Sequence, residues 1–384
     1  MNEFADVVTD AIVAASAPQP SHEDIQHACG EVCRQMTGVP ISELNHQLGR
    51  LTDAIEQAEY SPIAALLSIC CGAMIEAGAD PLIPFPVCLQ SMISVLRGAN
   101  DFMEACYRMC EDQETAISAG QKFRDSFENG IQEDENLDEQ DVVALYGEQI
   151  GETEPWLAND YSAFEPLSMG LIAMLSRSKQ ARQMARENPE LLELSRRFDL
   201  ISQQGQISFL TSILSVLDDQ PLLVLHPELK KGFLLHISGI ATNFELFILL
   251  EDALIGDPNS GWLAGTKPNR RAVEATRTRS ADFAKGTTVT GNFNYCNWTG
   301  LNKEGNIENN IPEDDTQHWV WMEGIPQDIT AWDDLRILLL TKPPYQRFFQ
   351  PGRCFEGMTP ELILDHQLSK EEVEGWLKKI AERR

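Results

Sequence analysis

Between Thr266 and Lys285 the chain carries Lys267, Arg270, Arg271, Arg277, Arg279 and Lys285, opposed only by Glu274 and Asp282. Six bases less two acids leave +4 in a protein of net charge −29, so composition alone does not account for the cluster. Four of the six are arginine, whose planar guanidinium recognises a carboxylate or phosphate through two parallel hydrogen bonds. Arg270, Arg277 and the apolar Val273 fall near one helical face, whereas Arg271, Arg277 and Arg279 cannot share one. The segment suits an anionic ligand, or a tie to acidic residues elsewhere in the same chain.

Downstream, Asn292-Phe293-Asn294-Tyr295-Cys296-Asn297-Trp298 alternates as a strand would. Extended throughout, it would place Asn292, Asn294, Cys296 and Trp298 on one face, with two amides leading to an indole as a pocket wall. Aromatic packing in a sheet explains the same pattern. His236 and His318 also fall in strand-like runs and could meet across that sheet. Together Lys267, Arg270, Arg271, Arg277, Arg279, Asn292, Asn294, Trp298, His236 and His318 make up the candidate ligand-binding set. The resulting site would lie between the arginine-rich loop and the C-terminal sheet.

Other chemistries lack their residues. No His-Glu-x-x-His helix occurs among the seven histidines. Cys29/Cys33 and Cys106/Cys110 are four apart, which puts each pair on one helical face, but those faces are the apolar stripes of their helices. Core packing is therefore expected rather than zinc, and Cys70-Cys71 sits in an equally apolar run. GDPNSGWLAGTK (256–267) lacks the Gly-Lys-Ser/Thr ending of a phosphate loop, and no Gly-x-Ser-x-Gly elbow is present. No metal or cofactor is expected, and no catalytic role can be assigned.

A second charged feature balances the first. From Asp125 to Ser176 there are thirteen acids and no lysine or arginine. Residues 1–229 hold 37 acids and 12 bases (net −25); residues 230–384 hold 22 and 18 (net −4). The belt suits a solvated connection or a docking surface for a basic partner, and it disfavours nucleic acid and anionic membrane. Its spacing does not make a calcium loop.

These residues need elements to position them. At 384 residues, 43% hydrophobic and 23% charged, the chain suits two folded domains. Residues 1–220 read as short amphipathic helices at 21–36, 42–58, 61–77, 85–97, 99–128, 138–149, 162–186, 189–203 and 205–218, with prolines, Pro166 among them, near the joints. They form an irregular helical bundle or a short solenoid of helical hairpins. From 221 to 384 an α+β domain with an antiparallel or mixed sheet is expected. Its strands are Leu222–His226 and Phe233–Ser238, joined as a hairpin by Pro-Glu-Leu-Lys-Lys-Gly, then Thr287–Trp298, His318–Glu323, Leu335–Thr341 and Leu362–His366. Asn243 should cap a helix through Ile255, residues 256–286 form the basic loop, and a last helix starts at Ser369.

Ala15-Ser16-Ala17 faintly resembles a signal-peptidase site, but Glu3, Asp6 and Asp10 give the preceding segment the wrong charge for secretion. Nine cysteines without framework spacing fit the cytoplasm. The sequence points to an interaction or scaffold protein with a basic protein partner, or alternatively to an enzyme or binding protein for a small anionic ligand.

Overall fold

The computed structural model describes residues 3–109, 139–202, 204–278, 283, 285–307, 318–343 and 346–383. Two compact units divide the chain, Met1–Leu214 and Ser215–Arg384. The first is built of helices and the second is α+β with a mixed sheet.

The helical unit comprises α1 (Glu3–Ala15), α2 (His22–Gln35), α3 (Ile41–Glu56), α4 (Ser61–Glu76), α5 (Phe85–Met109), α6 (Glu139–Thr153), α7 (Pro155–Arg177), α8 (Lys179–Arg186), α9 (Pro189–Ile201) and α10 (Gly205–Ser215). α4 is apolar on every side and buries Leu67, Cys70, Cys71 and Met74 completely. A helix with no polar face must be enclosed. It packs against α2, α3, α5 and α7, which makes the unit a bundle around a central helix rather than a solenoid.

α4 crosses α7 at close range. Gly72 meets Gly170 there, and a Cβ on Gly170 would lie 2.5 Å from the Ser68 carbonyl oxygen. α1 was not anticipated, although Phe4, Val8 and Ala11 recur at helical spacing and are buried. One expected break does not occur: α5 runs through Gly98, since an interior glycine costs only about 1 kcal/mol. α7 starts at Pro155, ahead of the expected start at 162, and carries Pro166 inside it, because Phe164 before it and Leu167 and Leu171 after it are all buried on one helix. The expected helix 162–186 is instead divided at Ser178, which caps α8 by accepting from the Ala181 amide. The acidic belt from Asp125 to Asp138 lies outside the described residues, while Glu139–Thr153 is helix.

In the second unit, β1 (Gln220–His226) and β2 (Lys231–Ser238) form the expected hairpin. Then come α11 (Asn243–Leu254), α12 (Arg270–Arg277), β3 (Val289–Gly291), β4 (Asn294–Asn297), β5 (Ala331–Trp332), β6 (Leu335–Thr341), β7 (Arg347–Phe349), β8 (Glu361–Gln367) and α13 (Lys370–Arg383). The main sheet has the order β4-β6-β1-β2-β8, with β5 on β6; β1 and β6 are parallel and the other pairs antiparallel. Its two central strands are apolar on both faces. Leu222, Val224, Leu338 and Leu340 pack with α11, and Leu223, Leu225, Ile337 and Leu339 pack with Val373, Leu377 and Ile380 of α13.

Three expectations are corrected here. Thr287–Trp298 is not one strand: β3 pairs with β7 in a separate two-stranded sheet, and only β4 joins the main one. His318–Glu323 is not a strand; a single bridge at Trp319 and a Val320 amide donated to the Tyr295 carbonyl lead into a turn. α11 is capped by Thr242 rather than Asn243, in a reciprocal box with Glu245. Asn243 is buried within the first turn, where its amide holds the Trp321 carbonyl at 2.7 Å.

Candidate functional site

The candidate residues of the second unit do not converge on one place. Arg270 opens α12, 91% exposed at its side chain and paired with Glu274 one turn on. Arg271 donates to the Phe283 carbonyl at 2.7 Å and stands 5.3 Å over the Phe283 ring. Arg277 ends the same helix, and Arg279 lies outside the described residues. The basic loop was thus expected to be irregular but contains a two-turn helix, held down by buried Ala272, Ala275 and Thr276.

Lys267 and Asn292 do come together, at the end of α11. Lys267 Nζ donates to the Asp252 carbonyl at 2.7 Å, where a cation meets the negative end of the helix dipole. Asn292 gives Glu251 two hydrogen bonds, from its backbone N–H at 2.8 Å and its Nδ2 at 2.5 Å, and accepts one from the Thr266 amide at 2.8 Å. Tyr295 Oη adds a third donor to Glu251 at 3.2 Å. Burial pushes the Glu251 carboxyl above the usual range, and these donors counteract that. Burial, and then the nearby Glu251 charge, push the Tyr295 phenol well up.

The expected single face of Asn292, Asn294, Cys296 and Trp298 is broken, because the chain leaves one sheet at Gly291 and enters the other at Asn294. Tyr295 stacks on Phe247 on the α11 side, with ring centres 3.6 Å apart. Cys296 and Trp298 pack on the α13 side, where Trp298 meets Trp332. Asn294 is buried opposite Thr341. His236 on β2 faces Asp365 at 2.8 Å, and His318 touches Thr299 at 3.0 Å beyond β4. β1 and β6 separate the two histidines, so they do not meet across the sheet.

A different site stands out in the helical unit. A cleft of about 550 Å³ opens between the end of α3, the start of α4, α5 and the first turns of α7. Glu56, Glu59 and Asp160 line it with Tyr60 and Trp156, and no lysine, arginine or histidine contributes to the lining. Tyr60 and Trp156 are 52% and 57% exposed, unusual for rings of that size. Pro155 at N1 starts α7 and so fixes Trp156 at the rim.

Asp160 is half-buried against α5, and Gly98 is what admits it: a Cβ there would fall 2.0 Å from Asp160 Oδ2. Burial raises the Asp160 carboxyl above the ordinary aspartate range, while a hydrogen bond from Ser61 works the other way. Carboxylates beside exposed aromatic faces make a receptor for an organic cation. Of the three carboxylates only Asp160 belongs to the acidic belt noted in the sequence. Tyr60 and Trp156, 96 positions apart, gave no joint signal. The -Glu-Tyr-Ser-Pro- start of α4 was the one local hint.

Among the described residues no group of three or more His, Cys, Asp or Glu is arranged to hold a metal ion. Likewise, no described helix is long and apolar enough to cross a membrane. Comparison with protein-family models, curated proteins and solved structures gave no match.

Proposed function

We propose that the chain is a non-catalytic interaction protein of the cytoplasm whose helical unit takes a basic segment of a partner protein in the Tyr60–Trp156 cleft. One observation carries this reading: three carboxylates and two exposed aromatic rings line the cleft without a single base. A guanidinium or ammonium entering it gains ring-face attraction and ion pairing together. The net −25 of residues 1–229 would speed the encounter. No disulfide joins the described cysteines, which suits a reducing compartment. In the second unit, α12 offers a smaller basic face through Arg270 and Arg277 for acidic partner groups.

The test is calorimetric titration with an arginine- and lysine-rich peptide and with its glutamate-substituted counterpart. Only the basic peptide should bind, more weakly with added salt. Replacing both Tyr60 and Trp156 by Ala should weaken binding about fivefold or more, at roughly 0.5–2 kcal/mol per ring. Equal binding by that double variant would remove the cleft from the reading.

A further inference from the structure

Three of the seven tryptophans meet on the α13 side of the main sheet, outside every site described above. Trp298 follows β4, Trp332 ends β5 and Trp376 lies on α13. The Trp298 and Trp332 ring centres are 5.3 Å apart with planes tilted by 47°. Trp376 stands edge-on to Trp332, at 6.3 Å and 85°. Each ring is partly buried against the layer of Leu223, Ile337, Leu339 and Leu377, so sheet and helix together hold the three in place. A cation already lies between two of them. Arg383 Cζ is 4.3 Å from the Trp332 ring centre and 6.0 Å from that of Trp298.

We propose that Trp298 and Trp332 form a binding site for an alkylated ammonium ion, and that Arg383 fills this site until such a ligand displaces it. Among the described residues no carboxylate ion-pairs with Arg383, so its guanidinium is held at this place by ring faces alone. Ring faces reward a cation that gives up its water cheaply. Guanidinium and alkylated ammonium ions meet that condition. A primary ammonium does not, because its three donors would shed water without an ion-pairing oxygen in reach. Lys379 fits this rule: its Nζ lies 4.8 Å from the centre of the outer ring, Trp376, on a side chain that stays exposed to water.

The turn beside Trp332 points the same way. Pairing of Trp332 with Leu335 leaves Asp333 and Asp334 as a two-residue loop between β5 and β6, and both are exposed. Their charges draw a cation toward the rings without fixing it in an ion pair. Asp333 has φ 53°, in the left-handed region that a side chain with a Cβ rarely adopts, and such strain gathers at binding sites.

Arg383 is also simple to remove. It is exposed on the last turn of α13, beyond Ile380, the final buried side chain of that helix. Helix ends open readily, and exposed cation–π contacts are the weak ones of their kind. The guanidinium can therefore swing out while Val373, Leu377 and Ile380 keep α13 and Trp376 anchored.

The experiment labels the full-length chain with 5-fluorotryptophan and assigns the seven fluorine resonances through single Trp→Phe variants. Tetramethylammonium chloride is then titrated against sodium chloride at equal ionic strength. The Trp298 and Trp332 resonances should shift saturably with tetramethylammonium and stay still with sodium. Arg383→Ala should tighten binding about two- to fivefold, the worth of the exposed contact that the ligand no longer has to displace. Choline and N-acetyl-trimethyllysine amide then separate the two sources of such a cation, a free small molecule and a modified partner side chain, by which binds more tightly. N-acetyl-lysine amide should bind more weakly than its trimethylated form. The Trp156 resonance reports the helical cleft separately, so either site can fail alone. Trp298 and Trp332 resonances that tetramethylammonium leaves unmoved would overturn the proposal. So would unchanged affinity in Arg383→Ala, or equal binding of the unalkylated lysine.

Discussion

Asp160 shows what a single residue contributes and costs. Its carboxyl binds a proton more tightly in the folded chain than an ordinary aspartate, so its ionisation opposes folding once pH rises above that raised value. Asp160→Asn should therefore stabilise the protein at pH 7, by less than about 1 kcal/mol because the group is only half-buried, and the gain should vanish in acid. The same variant should lose affinity for the basic peptide at pH 7. In the unaltered protein, peptide affinity should fall with acidification at a pH above the ordinary aspartate value of about 3.9, and the variant should flatten that fall. Thermal melts and titrations across pH check both.

Asn292 poses the opposite question, since its side chain is spent on Glu251 and Thr266. Asn292→Ala should cost about 3 kcal/mol at a pH where the buried Glu251 is ionised and needs its donors. The loss should shrink in acid as Glu251 protonates, because its pKa is raised. Denaturant unfolding at two pH values decides it; an unchanged stability would return Asn292 to the candidate ligand set.

Elements are decided by close approach as much as by pattern. At the α4–α7 crossing, a methyl group on Gly170 meets the Ser68 backbone, which cannot swing aside. Gly170→Ala should destabilise by about 2–3 kcal/mol through forced separation of the helices. On α5, a methyl group at Gly98 meets only the Asp160 side chain, which can turn away. Gly98→Ala should thus cost less in stability and more in peptide affinity, measured by the same melts and titrations. Equal losses in both assays for both variants would show that the cleft and the crossing are one packing unit. The sheet teaches a related lesson. Residues 287–298 read as one strand by alternation, yet the chain divides them between two sheets because β7, from a distant part of the sequence, supplies the partner for β3. Propensity marks strands; pairing assigns them.

At the scale of the molecule, the helical unit ends at Leu214, just before the first strand, and the expected boundary at residue 220 falls at the opening residue of β1. A fragment of residues 1–214 encloses the whole apolar surface of α4 with its own helices, so it should fold cooperatively and be mostly helical by circular dichroism. A fragment that unfolds without cooperativity would mean that the two units depend on one another. Its strong negative charge should also leave it able to bind the basic peptide without residues 215–384.

Much of this architecture was legible one stretch at a time. The 3.6-residue stripes announced the helices, the Leu222–His226 and Phe233–Ser238 runs with their Pro-Glu-Leu-Lys-Lys-Gly connection announced the hairpin, and Leu335–Thr341 read as a strand. Local periodicity suffices for these because each element buries a face of its own. Proximity was not legible. Tyr60 with Trp156, Gly98 with Asp160, and Asn292 with Glu251 are pairs from different elements. The folded core alone sets their separation, and neither residue of a pair carries the other's position in its neighbours. The sequence determined by itself the class of most elements, though not of α1, α12 or residues 318–323, and the uneven charge of the two halves. Only tertiary packing decided that an acid, two rings and a glycine notch would share one cleft, because such sites are made by elements crossing rather than by residues in succession.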